Sequence, residues 1–215
     1  MDPETFPIFK DVPWLVHGFT VREEGLALKL ERTQALALLE ERHQRILQQK
    51  GVSWTALQCG EQVHGNRMAV ISRVQRQPVA GIDGLITATA GVALGIHVAD
   101  CCAVFLLEKN HRLVGLLHSG RKGTEANIVH EALDRMRALH PGKPLDVTAA
   151  LGPCIHGCCY DVDFVAQIER QLADEGVKQI WRHPDCTGCH LDRYYSYRKE
   201  MGKTGRMLAF MMIKG

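Results

Sequence analysis

Charge of one sign, long apolar runs and simplified tracts are all scarce in this chain, and each scarcity removes a class of function. Cations and anions are evenly mixed over 215 residues, leaving a formal net charge of only +2. No extended basic tract appears, so neither nucleic acid nor a membrane surface is expected as a partner. No apolar run approaches the roughly 20 residues of a membrane-spanning helix. The segment Met1 to Lys10 carries Asp2 and Glu4 and has neither the cationic nor the apolar region of a secretory signal, so a cytoplasmic location is expected. With no internal repeat or linker in view, residues 1–215 are expected to form one domain, and a 46% hydrophobic composition is enough to bury a sizeable core.

Cysteine, by contrast, is plentiful. Eight cysteines fall at 101 and 102, at 154, 158 and 159, at 186 and 189, and singly at Cys59. In a chain without an export signal they are expected as reduced thiols, metal ligands or catalytic groups before disulfides.

The patterning is that of an α/β protein with a mixed sheet. Strand-like runs are read at Trp14 to Thr20, Trp54 to Gln58, Arg67 to Ser72, Leu85 to Ala88, Val92 to Val98, Cys102 to Leu107, Arg112 to Leu117, Leu145 to Leu151 and Arg206 to Ile213. Helical spacing appears over Thr33 to Gln49, Gly123 to His140 and Val162 to Glu175, with a further helical stretch near Tyr194 to Met201.

His64, Cys101 and His118 are the chief candidates for chemistry, because one soft thiolate and two imidazoles suit a catalytic zinc or copper ion. The polar stretch Glu108-Lys109-Asn110-His111 separates two apolar runs and reads as a hairpin turn. Centring that turn between Lys109 and Asn110 pairs Cys101 directly with His118, with Cβ atoms roughly 4.5 to 5.5 Å apart on one face. A slip of one residue would separate them. Cys101 is thus either a thiolate held by a metal or a neighbouring imidazole, or a core thiol; Cys102 should point to the opposite face as a structural residue.

Two further segments have competing readings. His118-Ser119-Gly120-Arg121-Lys122-Gly123-Thr124 joins a strand to a helix, and is either a cradle for phosphate or a helix-entry turn with two solvated cations. Cys186-Thr187-Gly188-Cys189-His190 matches the haem-attachment pattern, but that chemistry belongs to exported proteins. A structural zinc site joining Cys154, Cys158 or Cys159 with Cys186 and Cys189 is the more serious option; otherwise these are small core residues.

Taken together, these segments resemble the laccase-domain family, also called the polyphenol-oxidase or peptidoglycan-editing-factor family, whose members include purine nucleoside phosphorylases. The resembling text is His17-Gly18-Phe19-Thr20-Val21-Arg22, Gln62-Val63-His64-Gly65, Asp83-Gly84-Leu85-Ile86-Thr87, Ala99-Asp100-Cys101 and His118-Ser119-Gly120. It continues with Leu151-Gly152-Pro153, Cys159-Tyr160-Asp161-Val162, Ser196-Tyr197-Arg198 and Thr204-Gly205-Arg206-Met207. The resemblance implies a four-layer α/β/β/α sandwich with mixed sheets and a metal ion held by His64, Cys101 and His118. It also implies a nucleoside substrate at that ion. The family's tryptophan and arginine after the glycine are replaced here by Arg121 and Lys122, and its glycine-rich segment after the first strand shrinks to Glu23-Glu24-Gly25-Leu26.

The expected activity is therefore phosphorolysis of a purine nucleoside such as adenosine, inosine or methylthioadenosine, with adenosine deamination as a second use of the same site. Zinc is the expected ion and copper the alternative. Arg121, Lys122 and Arg206 are the expected substrate-binding cations, and Asp100 is expected to orient a ligand or move a proton. Rival readings are a metal-free cysteine hydrolase using Cys101 and His118, an editing partner for cell-wall precursors, and a copper-dependent phenol oxidase. The last ranks lowest because no His-x-His pair is present to hold several coppers.

Overall fold

A computed structural model describes residues 2–26 and 28–215 of the chain. In chain order the elements are β1 (Leu15–Phe19), α1 (Arg32–Gln49), β2 (Leu57–Cys59), β3 (Met68–Val70), β4 (Gly84–Thr87), β5 (Ala93–Val98), β6 (Cys102–Glu108) and β7 (Leu113–Ser119). There follow α2 (Arg121–Glu125), α3 (Ile128–Leu139), β8 (Val147–Leu151), α4 (Phe164–Asp174), β9 (Gln179–Arg182) and β10 (Met207–Ile213). The strands form a four-stranded sheet in the order β1-β10-β5-β2 and a six-stranded sheet in the order β3-β4-β7-β6-β8-β9, each with parallel and antiparallel pairs.

Three apolar clusters show how the layers stack. Between the sheets lie Phe19, Leu94 and Ile96 from one and Ala103, Phe105, Val114 and Leu116 from the other. The outer face of the larger sheet, with Cys102, Val104, Leu106 and Leu117, packs on Val129, Leu133, Met136, Val165 and Ile168 of α3 and α4. The outer face of the smaller sheet, with Val16, Ala93, Leu208 and Phe210, meets Ile46 and Leu47 of α1. The architecture is the expected four-layer α/β/β/α sandwich. Strands covered on both faces have no solvent side, which is why β6, β7 and β10 are buried at every position.

The expected hairpin forms, but in a different register. Ala103, not Cys101, is the partner of His118, and Cys102 pairs with Ser119. Glu108 stays in the strand because its buried carboxylate accepts the backbone N–H of His111 at 2.6 Å, and the chain turns through residues 109–112 with Arg112 at φ 51°. The offset is two residues. Because side chains alternate with period two, Cys101 keeps the face on which it can meet His118, and Cys102 points away into the helix-side core as expected.

The strand expected from Trp54 to Gln58 begins only at Leu57, because Trp54–Ala56 form a 3-10 turn capped by the Ser53 side chain, and three further elements differ from expectation. The helical pattern over Gly123 to His140 breaks into α2 and α3 at Asn127, which sits at φ 54° and caps α3 by accepting the His130 N–H. Tyr194 to Met201 forms turns. There the N–H groups of Ser196 and Arg198 go to the carboxylates of Glu200 and Asp100, at 3.0 and 2.7 Å, in place of helical carbonyls. Strand β9, four residues long and half-exposed at the sheet edge, carried no clear pattern in the sequence.

Candidate metal centre

Asp83, at the entry to β4, organises the centre. Its carboxylate accepts the backbone N–H groups of Val63, His64 and Gly65 at 3.2, 2.8 and 2.7 Å, and so shapes the loop that carries His64. That loop holds Gln62 and His64 in left-handed backbone conformations, φ 62° and 63°. The Gln62 side chain pins its other end by pairing with the backbone of His97 on β5, donating to the carbonyl at 2.7 Å and accepting the N–H at 3.0 Å. Such conformations cost energy for residues other than glycine, and these side-chain contacts hold them in place.

His118 enters from the end of β7 and is almost wholly buried. Its Nδ1 lies 2.8 Å from the same Asp83 carboxylate. A carboxylate acceptor makes Nδ1 a donor and turns Nε2 toward Cys101, so that Nε2 becomes a metal ligand once its own proton is lost, the arrangement that orients a ligating histidine. Cys101 sits just before β6, turned inward by Asp100 at φ 82°. It packs so closely on Gly120 that a Cβ there would lie 2.5 Å from its Sγ, so only glycine fits.

These constraints bring the three expected ligands together. The side-chain ligand atoms of His64, Cys101 and His118 all lie within 4.8 Å of one another, and the two imidazole rings meet edge-on at 4.7 Å. Burial opposes ionisation of Cys101, but the charge of His118 and hydrogen bonds from both histidines outweigh it and bring the thiol down to about 6. Burial likewise disfavours the charged form of His118, yet the Cys101 thiolate and Asp83 raise it to about 9. Among the described residues no fourth His, Cys, Asp or Glu joins the group, and a thiolate with two imidazoles fits a zinc or copper ion with one open position.

The centre opens into a cleft of about 1080 Å³. Arg121, Lys122 and Arg206 all line it, as does Asp100. Arg121 is exposed and shares its charge with Glu125 at 2.9 Å. Arg206 is buried, with Nη1 donating to the carbonyls of Thr204 and Gly205 at 2.7 and 2.9 Å. Asp100 has both carboxylate oxygens engaged, one by the Thr187 hydroxyl at 2.7 Å and one by the Arg198 N–H at 2.7 Å. Sequence reasoning overlooked the roles of Asp83 and Gln62, and the aromatic wall of Tyr160, Phe164 and Tyr197. An acid before a buried strand was the only signal for Asp83, and its partners are distant in the chain.

The sequence profile of a family described as multi-copper polyphenol oxidoreductase laccase matches residues 17–167 and 161–214. The chain belongs to this laccase-like family. Among its relatives, purine nucleoside phosphorylase YlmD of Geobacillus stearothermophilus is 30% identical over 193 residues, covering 71% of this chain and 70% of its own length. Purine nucleoside phosphorylase ORF3 of Streptomyces griseus is 30% identical over 71% of this chain and 72% of its own length. The crystal structure of the Geobacillus YlmD superposes with a TM-score of 0.85 at 26% identity, covering 98% of this chain and 94% of that one. A Bacillus licheniformis protein, YfiH, shares the fold with a TM-score of 0.84 at 22% identity. Among the described residues of this family member, no helix is long and apolar enough to cross a membrane.

Proposed function

We propose that the chain is a zinc-dependent purine nucleoside phosphorylase. The observation that carries this reading is the convergence of His64, Cys101 and His118 at the wall of a cleft that also presents cations and aromatic rings. The names of the Geobacillus and Streptomyces relatives support the same activity. Bound at these three residues, zinc supplies a concentrated positive charge that polarises a ligand in its open position.

The protein's own residues then do the following. Asp83 fixes the tautomer of His118 and the loop of His64, so both imidazoles are oriented before anything binds. Arg121 and Lys122 at the cleft rim, with Arg206 deeper in, attract and hold phosphate, and the rings of Tyr160, Phe164 and Tyr197 give the purine an apolar wall. Held there, a phosphate oxygen attacks the ribose C1′ as the bond to the base breaks, and the bonding electrons leave with the purine. Asp100 works through position: its bonds to Thr187 and Arg198 tie the turn bearing Cys101 to the C-terminal loops.

Adenosine turnover with and without phosphate, alongside elemental analysis, tests the reading. Adenine formed only with phosphate is expected. Inosine would mean deamination, and no product from any nucleoside would defeat the proposal. The lowered Cys101 thiol beside His118 also favours a metal-free cysteine hydrolase. That rival requires full activity in chelator and alkylation of Cys101; loss of activity on metal removal, restored by zinc, excludes it.

A further inference from the structure

A second cluster of metal-ligating side chains lies outside this centre. We propose that Cys158, Cys159, Cys186 and Cys189 bind one zinc ion in a closed, four-thiolate structural site that fastens the segment 154–162 to the turn 186–190. The four Sγ atoms all lie within 4.8 Å of one another. Cys189 Sγ is 3.5 Å from both Cys158 Sγ and Cys159 Sγ. With Zn–S bonds of about 2.3 Å, the edges of a regular tetrahedron of sulfurs are roughly 3.8 Å. The observed spacing is close to that edge, and far from the roughly 2.05 Å of a disulfide.

Cys186 Sγ accepts the backbone N–H of His156 at 3.3 Å. A backbone N–H donated to sulfur stabilises negative charge there and orients the ligand. Gly188 is required for closure: a Cβ at that position would lie 2.8 Å from the Cys159 Cβ and 3.1 Å from its Sγ. Lys199 approaches the same point, its Cε 3.4 Å from that Cβ position, and brings a cation beside what would be a doubly negative site. Binding sends the four thiol protons to solvent and leaves no open coordination position, so the role is structural. Cys154 takes no part. It is buried next to Cys102 in the helix-side core.

What the site would hold in place is a wall of the cleft. Ile155 and Tyr160 both line it, and the Arg198 guanidinium lies 5.3 Å over the Tyr160 ring. The experiment uses the full chain carrying His64→Ala and Cys101→Ala, which empties the first centre. Elemental analysis after purification without added metal is expected to give one zinc per chain, and addition of Cys189→Ser is expected to remove it. If the triple variant does not fold, cobalt loading of the double variant decides: strong near-ultraviolet sulfur-to-metal charge-transfer absorption is expected from thiolate ligands. A folded double variant with no zinc, iron in its place, retention of zinc after Cys189→Ser, no such cobalt absorption, or a mass showing a disulfide within the cluster would each overturn the proposal.

Discussion

The two sulfur-bearing clusters differ in what supports them. His64, Cys101 and His118 stand on strand ends and a strained loop, with both histidines referred to one buried carboxylate, Asp83, and they face a cleft. Cys158, Cys159, Cys186 and Cys189 stand on two turns, with the His156 N–H on Cys186 Sγ, and gather four sulfurs at a site where Cys158 and Cys189 are exposed. Mixed nitrogen and sulfur with a vacancy suits a reactive ion, whereas four sulfurs without one suit a cross-link. A fold can thus use one element's chemistry in two ways by changing ligand count and support.

The sharpest way to break this contrast is Cys101→Ala. Nucleoside turnover should fall by about a thousandfold or more, since the open metal is the proposed source of rate, while metal at the four-cysteine cluster is unchanged. A variant that kept wild-type kcat would remove the distinction. Asp83→Asn should be smaller and specific: loss of the orienting carboxylate is expected to weaken zinc at the first centre by roughly 10- to 100-fold, measured by competition with a chelator, with the second cluster unaffected.

Acid tests the fold beneath both clusters. Burial drives His17 down to about 4, helped by the charge of Lys50, and burial drives His43 to about 4 against a backbone hydrogen bond that raises it. Between pH 6.5 and 4 the unfolded chain binds more protons than the folded one at these sites, so stability is full above the upper limit and declines as pH falls. Each histidine contributes up to about 3 kcal/mol to that decline. His17 Nε2 accepts the Phe6 N–H at 2.8 Å, which requires the neutral ring. His17→Gln should keep an acceptor, drop the titration and move the acid-unfolding midpoint lower; an unmoved midpoint would remove His17 from the account. Metal release from either cluster should therefore be compared above pH 6.5.

The smallest effect belongs to the rim. Arg121 and Glu125 are about half exposed, and breaking their pair with Glu125→Gln should leave stability almost unchanged. Its readout is KM for phosphate, expected to fall as Arg121 is freed; a rise would argue against Arg121 as a phosphate ligand.

Much of this was legible in the chain. The runs Cys102 to Leu107, Arg112 to Leu117 and Arg206 to Ile213 read as strands, and the candidate ligands stood out by type and motif order. The hairpin register was not legible, because it turns on Glu108 staying inside the strand to cap His111, a choice made by burial of a carboxylate that also receives Asp146 N–H. Nor was the helix break at Asn127, where a left-handed residue interrupts a continuous apolar period. Asp83 was present in the resembling text without a role, since its partners at 63–65 and 118 approach it only when β4 and β7 pair.

By itself the sequence determined which atoms are available: two imidazoles and a thiol on segments with a strand pattern, and four more thiols in two short motifs. Residue identity and local periodicity are properties of neighbours in the chain, so they can be read there. Tertiary structure alone decided which atoms share a point in space. It selected Cys158 and Cys159 over Cys154, made Asp83 common to both histidines, and turned Asp100 away to Thr187 and Arg198. Those choices depend on strand register and backbone hydrogen bonding between distant segments, which local patterning does not encode.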